Sequence, residues 1–164
     1  MKRKPAGLDR PSTVRVIKWM STVNTWLYRR SNGRLGGRWR LGAGLRKPVP
    51  ICLLTTTGRT SGQPRTVPLC FLQDGDAIVL VASQGGLPRH PQWYLNLRAR
   101  PEVEIEIGPR RRRYSARVAD AAERARWWPR LVDLYADFDS YQSWTDREIP
   151  VVVCEPAGGD GGPQ

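Results

Sequence analysis

Four side chains in a short glycine-punctuated stretch, Arg59, Thr60, Ser61 and Arg65, carry the most chemistry in this chain. They lie within LLTTTGRTSGQPRTVPL, residues 53–69, between two apolar runs. Guanidiniums offer forked donors to phosphate or carboxylate, hydroxyls offer neutral donors, and glycine frees backbone N–H groups to face an anion. The set suits a phosphorylated cofactor. No Walker or Rossmann glycine pattern accompanies it, and taken alone such a loop is more often a solvated basic hairpin turn. The other usual chemistries have no residues to work with. There is no pair of carboxylates placed for acid and base work and no Ser-His-Asp arrangement. His90, the sole histidine, sits beside Pro91 and reads as a loop residue. Cys52, Cys70 and Cys154 have no metal-ligand or redox spacing and fall in apolar runs, which fits buried reduced thiols.

Strands must hold that loop. Residues 51–57 and the run around Cys70-Phe71-Leu72 flank it, and Asp74-Gly75-Asp76 closes the second. Ala77–Ser83 is continuously apolar, a strand buried on both faces. Gln84-Gly85-Gly86 ends it. Pro91 opens a helix through QWYLNLRA that stops near Pro101. Glu102–Ile107 alternates, with Val103, Ile105 and Ile107 inward. After the turn Gly108-Pro109 the chain returns through Arg110–Val118, where four arginines face the glutamates in a cross-strand ion-pair ladder. Asp120 and Glu123 form a capping box for a helix that Pro129 kinks or restarts. Tyr135, Phe138 and Tyr141, three residues apart, can share one face of a helical turn. Ile149–Glu155 is the last strand. Elements in this order do not alternate regularly enough for a doubly wound sheet, so a mainly antiparallel barrel with peripheral helices is expected, an α+β fold.

Charge is uneven along the chain. The formal net charge is +12, and residues 1–47 hold 13 Lys/Arg against a single acid, so residues 48–164 are neutral. A nucleic-acid reader usually carries its charge on the folded module, and none is expected here. Ser12 or Thr13 caps a basic amphipathic helix over about 14–30, with Val16, Trp19, Met20, Val23, Trp26 and Leu27 on one face. It either packs on its own domain or lies in the interface of an anionic membrane. Polar interruptions make it neither a signal peptide nor a span. The expected organisation is a basic arm over 1–47 with a Gly/Arg linker at Ser31–Pro50, a barrel over 48–156, and a flexible tail over 157–164. In the linker, Trp39 is either a further interfacial contact or part of a solvated loop.

From about Ile17 to Pro156 the chain resembles the deazaflavin-dependent nitroreductase family, the quinone and nitroimidazole reductases of actinobacteria that use reduced coenzyme F420. The blocks that carry the resemblance are collinear: KWM (18–20), NTW (24–26), YRR (28–30), LLTTTGRTSGQPR, Ala82-Ser83, Gly85-Gly86, WYLNL (93–97), YQSWTDR (141–147), Ile149-Pro150 and VVCEP (152–156). The resemblance implies a split β-barrel of the FMN-binding type and hydride transfer from coenzyme F420 to a quinone or nitro acceptor, with no side-chain nucleophile. It places Arg59, Thr60, Ser61 and Arg65, Thr66, Val67, Pro68, Leu69 and Cys70 along the phosphate, ribityl chain and acidic tail. Ala82 and Ser83 would lie along the ring, with Gln92, Trp93, Tyr94, Leu95 and Asn96 closing the site, and Val81, Gln84 and Phe138 also among the residues that bind the coenzyme. Ser83, Tyr135 and Tyr141 would hydrogen-bond the acceptor. Family members similar to this chain have tyrosine at Phe138 and lysine at Gln84, which favours quinone over nitro reduction here. A membrane-embedded quinone would suit a cytoplasmic protein held peripherally on the membrane's inner face. The alternatives are a split barrel holding FMN, or a non-enzymatic barrel bound to membrane or nucleic acid through its arm.

Overall fold

The computed structural model describes Thr25, Tyr28, Arg30, Ser31, residues 37–39 and residues 48–158. The proposed cap at Ser12 or Thr13, most of the arm's helix, the rest of the linker and the end of the tail lie outside the described residues. Within the arm, Thr25, Tyr28 and Arg30 are helical.

Six strands close on themselves. In chain order these are β2 (Val49–Thr57), β3 (Pro64–Asp74), β4 (Ala77–Val81), β5 (Glu102–Ile107), β6 (Arg110–Val118) and β7 (Val151–Pro156), preceded by a two-residue β1 (Arg38–Trp39) that pairs with the start of β2. All pairings are antiparallel, in the order β1-β2-β3-β4-β7-β6-β5, and β5 returns to β2 to complete the barrel. The expected antiparallel barrel is therefore present. Part of the Gly/Arg linker, which has no readable periodicity, is ordered as β1 because its backbone is recruited by β2; Ile51 N–H also donates to the Gly37 carbonyl at 3.0 Å.

The register sorts the side chains. Leu54 stands opposite Val67 on one side and Ile105 on the other, so all three point into the barrel. With Cys52, Phe71, Ile78, Leu80, Val103, Tyr114, Ala116, Val152 and Cys154 they make the inner core, which α1 (Gln92–Ala99) plugs with Trp93, Tyr94 and Leu97. The opposite faces of β4 and β7, with Val79, Val81, Val151 and Val153, are covered by α2 (Ala121–Leu134) and α3 (Asp137–Ser143) through Trp127, Leu131 and Phe138. That double coverage explains why both strands read as unbroken apolar runs; each fully buried branched side chain contributes about 1.5–3 kcal/mol.

Local signals held in detail. Glu123 N–H donates to Asp120 Oδ1 at 2.8 Å and Asp120 N–H to Glu123 Oε2 at 3.1 Å, a complete capping box. Arg117 adds a two-pronged clasp on the same carboxylate at 2.6 and 2.8 Å. The outward ladder between β5 and β6 is represented by an ion pair of Arg111 with Glu104. Two expectations change. α2 does not restart at Pro129 but passes through it as one helix, with Trp127 and Leu131 on either side of the proline packed in the second core. Tyr135, Phe138 and Tyr141 do not share a single helical turn: Tyr135 is extended at the end of α2 (φ −145°, ψ 95°), and the other two belong to α3.

Tyr28 is the arm's contribution to the barrel. Its ring is buried against Ile51 and Leu53 on the outside of β2. Its hydroxyl donates to the Ile51 carbonyl at 3.1 Å and accepts from Gly108 N–H at 2.8 Å, tying β2 to the β5–β6 turn. Burial raises its pKa.

Candidate functional site

The basic turn between β2 and β3 is built around a close approach. Gly58 N–H donates to the Gln63 carbonyl at 2.8 Å, and Gly62 N–H to the Gly58 carbonyl at 2.8 Å. A Cβ on Gly58 would sit 2.6 Å from Ser61 Oγ, and Gly62 has a positive φ of 68°, so each glycine has its own reason. The turn does not wave freely. Arg59 N–H donates to Asn96 Oδ1 at 3.1 Å, and its Nη1 reaches Gln92 Oε1 at 2.9 Å and Asn96 Oδ1 at 3.3 Å. The buried Asn96 turns its Nδ2 to the buried Thr56 Oγ1 at 3.2 Å. One asparagine thus couples α1, β2 and the turn. Arg59 and Arg65 are exposed and form no ion pair with a described residue, so two guanidinium charges stay available at this end. Thr60 and Ser61 are exposed beside them.

A second cluster lies on the face covered by α2 and α3. The Tyr135 and Tyr141 hydroxyls are 3.3 Å apart, and Phe138 packs edge-on to both rings, with centroids at 5.1 and 6.3 Å. Burial, and then the hydrogen bond to Tyr141, push the Tyr135 phenol well above its ordinary pKa, so it stays a neutral donor across the working range. Trp144 extends the aromatic group, its ring centroid 5.4 Å from that of Tyr141. Against it rests the turn Gln84–Gly86, where a Cβ on Gly86 would meet the Tyr141 carbonyl oxygen at 2.8 Å.

β3 connects the two. Thr66, Val67, Pro68, Leu69 and Cys70 are all partly exposed, an unusual state for a barrel strand; Val67 and Leu69 pack on the inner core and Cys70 on the outer one. From Arg65 to Cys70 an extended strand spans about 17 Å, the length of a ligand with a charged tail and a flat head. Val81 and Ala82 are buried at the end of β4 and just beyond it, Ser83 is 9% exposed, and Gln84 is exposed. Of the α1 residues expected to close the site, Gln92 and Asn96 face the turn. Trp93 and Tyr94 are committed to the inner core, and Leu95 packs against it.

Arg147 ends the YQSWTDR block, but sequence reasoning gave it no role. Flanked by Asp146 and Glu148, it looks like a solvated surface charge. Glu148 instead lies 3.8 Å from Arg124, while Arg147 turns inward. Its Nε donates to the Leu87 carbonyl at 2.9 Å, its Nη2 to the carbonyls of Ala82 and Ser83 at 3.2 and 2.9 Å, and its Nη1 lies 3.3 Å from His90 Nδ1. Burial and the neighbouring Arg147 and Arg98 charges lower the His90 pKa, favouring neutral imidazole. Gln142 supports this segment through the Arg147 carbonyl at 3.0 Å and the Ile149 N–H at 2.9 Å. No group of metal-ligating side chains occurs among the described residues. No described helix is long and apolar enough to cross a membrane.

The family model for F420H(2)-dependent quinone reductase matches residues 19–156. A Mycobacterium tuberculosis (strain H37Rv) protein provisionally named an F420H(2)-dependent quinone reductase is 52% identical over 117 residues, covering 71% of this chain and 98% of the relative. A second M. tuberculosis protein, named an F420H(2)-dependent quinone reductase, is 44% identical over 130 residues, 77% of this chain and 83% of its own. Among solved structures, one described as an F420-H2 dependent reductase superposes with a TM-score of 0.61 at 42% identity, covering 65% of this chain and 94% of that one.

Proposed function

The chain belongs to the F420H(2)-dependent quinone reductase family, and from that premise we propose that it reduces a quinone with reduced coenzyme F420 bound along β3. The observation that carries this reading is the continuous partly exposed strand that runs from two arginines without an ion-pair partner among the described residues towards a pair of phenols, Tyr135 buried and Tyr141 partly buried. The donor set fits the coenzyme. Arg59 and Arg65, with Thr60 and Ser61, supply cations and hydroxyls for a phosphate and an acidic tail, and no carboxylate among the described residues forms an ion pair with either arginine. When bound, the coenzyme would supply two electrons and a hydrogen as hydride.

The chain's own residues position and stabilise. Gln92 and Asn96 aim the Arg59 guanidinium, so less side-chain entropy is lost on binding. The coenzyme's ring system would lie by residues Val81–Gln84 and Phe138. Ser83, Tyr135 and Tyr141 present hydroxyls to an acceptor oxygen, and their neutrality lets them donate to a developing negative charge. Phe138 offers no hydroxyl and Gln84 no cation, so quinones are the preferred acceptors over nitro-heterocycles.

Fluorescence titration of the full chain with oxidised coenzyme F420, with FMN in parallel, tests the reading. The expected result is binding of the deazaflavin alone, weakened about tenfold by Arg59→Ala or Arg65→Ala, as for loss of a charge-assisted hydrogen bond. Binding of FMN alone would keep the fold and replace the coenzyme. The arm's basic helix is proposed to seat the protein on anionic membrane near quinone. Co-sedimentation with anionic vesicles should be lost on deleting residues 1–24, a cut that spares Tyr28 and β1; unchanged sedimentation sinks that part of the proposal.

A further inference from the structure

The Ala82–Leu87 segment leaves the barrel in a conformation that needs an external brace. Ser83 is right-handed (φ −72°, ψ −39°), whereas Gln84, Gly85 and Gly86 have φ of 47°, 64° and 75°. A left-handed Gln is costly, and the surroundings must hold it. The brace is Arg147. Its Nη2 is shared by the carbonyl oxygens of Ala82 and Ser83, and its Nε takes Leu87. None of the ion pairs found among the described residues involves Arg147. It is a partly buried cation spent on peptide oxygens.

That arrangement fixes where the other ends of the peptides point. The peptides are trans, and in a trans peptide the C=O and N–H lie on opposite sides. Two oxygens that converge on one guanidinium nitrogen therefore turn the N–H groups of Ser83 and Gln84 away from it together. A right-handed residue followed by a left-handed one is also the backbone sequence that gathers successive N–H groups into a concavity for negative charge. Neither N–H, nor that of Gly85, donates to an acceptor among the described residues. Ser83 is 9% exposed, and its hydroxyl has no partner among the described residues either. The peptide dipoles are polarised from behind by a cation and unsatisfied in front. Through Gly86 the turn is pressed on the backbone of Tyr141, in the helix that carries one of the two phenols.

We propose that the backbone N–H groups of Ser83 and Gln84, aligned by Arg147 as a positioning residue, form a donor cradle for the acceptor oxygen on which negative charge develops. The inference rests on the reading of the chain as a quinone reductase. Two-electron reduction of a quinone by hydride from the reduced deazaflavin leaves one oxygen bearing the new hydrogen and the other as a phenolate. A proton from solvent then completes the hydroquinone, and the coenzyme is left oxidised. Donors fixed in place before the charge appears need no reorganisation when it does, and one such donor is worth roughly 100-fold or more in rate.

The test uses 4-nitrophenol as a phenolate probe, titrated by the absorbance of its ionised form against the full chain in the presence of oxidised coenzyme F420. The expected result is an apparent probe pKa lowered by about one unit in the native protein, as donors to the ionised form require. Arg147→Met should abolish the shift. Arg147→Lys should keep part of it, since an ammonium still donates to two carbonyls. Gly85→Ala places its Cβ in open space at φ 64°, so it penalises the left-handed backbone without removing a side-chain contact, and should diminish the shift. Menadione reduction by Arg147→Met should show kcat down roughly 100-fold with KM little changed. A native protein that binds the coenzyme yet leaves the probe pKa unmoved overturns the inference, as does a full shift in Arg147→Met. Failure of the native protein to bind the coenzyme overturns the underlying reading instead. Should Arg147→Met lose its circular dichroism, Gly85→Ala decides: an undiminished shift there overturns the inference.

Discussion

The two ends of β3 use opposite physics. At the β2–β3 turn the groups are exposed, charged and held by a few side-chain hydrogen bonds; at the α2–α3 junction they are buried, neutral and held by packing. Exposed guanidiniums act over distance, tolerate small displacements and are screened by salt. Phenols act only at hydrogen-bond range, and burial keeps Tyr135 protonated. A ligand spanning both would be captured at one end and oriented at the other, so damage to the first should appear in affinity and damage to the second in turnover.

The most severe way to break that division is at Gly86. Its φ of 75° and the 2.8 Å approach of the Tyr141 carbonyl leave no room for a side chain. Gly86→Val should displace the turn from α3, abolish quinone reduction and cost several kcal/mol in urea unfolding. Asn96→Ala comes next. It leaves the buried Thr56 hydroxyl without its donor and releases Arg59, for an expected loss of about 1–3 kcal/mol of stability together with weaker coenzyme binding in the fluorescence titration. Tyr141→Phe should sharpen the comparison: roughly tenfold lower kcat with coenzyme affinity unchanged, by steady-state kinetics, because the Tyr135 hydroxyl loses the partner at 3.3 Å and the acceptor loses a donor. A large change in coenzyme affinity would show that the ends are not separable.

The smallest effect lies away from both. Arg117 first, and the Asp120 N–H second, hold the Glu123 carboxyl at about 2, below its ordinary 4.5. A depressed carboxylate pKa means stability that is fully present above about pH 4.5 and is lost as pH falls through about 2. The group is partly exposed and its main partner Arg117 is on the surface, so the contribution is small. Glu123→Gln should flatten the thermal-unfolding profile across that window and leave it unchanged near neutrality.

The barrel was legible because its strands advertise themselves. Glu102–Ile107 alternates, Ala77–Val81 is apolar throughout, and Asp120 with Glu123 announces a helix start. The hairpin's cations were legible by type, and Gln92 and Asn96 were expected at the site as residues that close it. What could not be read was which groups would meet across the fold. Nothing local distinguishes Arg147 from the charges on either side of it, since its acceptors are backbone oxygens, and every residue has one. Tyr28 was likewise hidden, because its value comes from Ile51 and Gly108, far along the chain. Trp93 and Tyr94 show the converse: a motif that includes them marks the site's neighbourhood, but their rings belong to the core.

The place of β7 in the barrel carries a consequence for synthesis. It is the last of the described strands in chain order, yet it sits between β4 and β6 rather than at an end. Until Val151–Pro156 leaves the ribosome, the preceding strands can form at most an open sheet, β4-β3-β2-β5-β6, whose two outer strands both lack a neighbour. Unpaired edges invite association with other chains. The nascent barrel therefore keeps two adhesive edges until β7 arrives to fill the place between them.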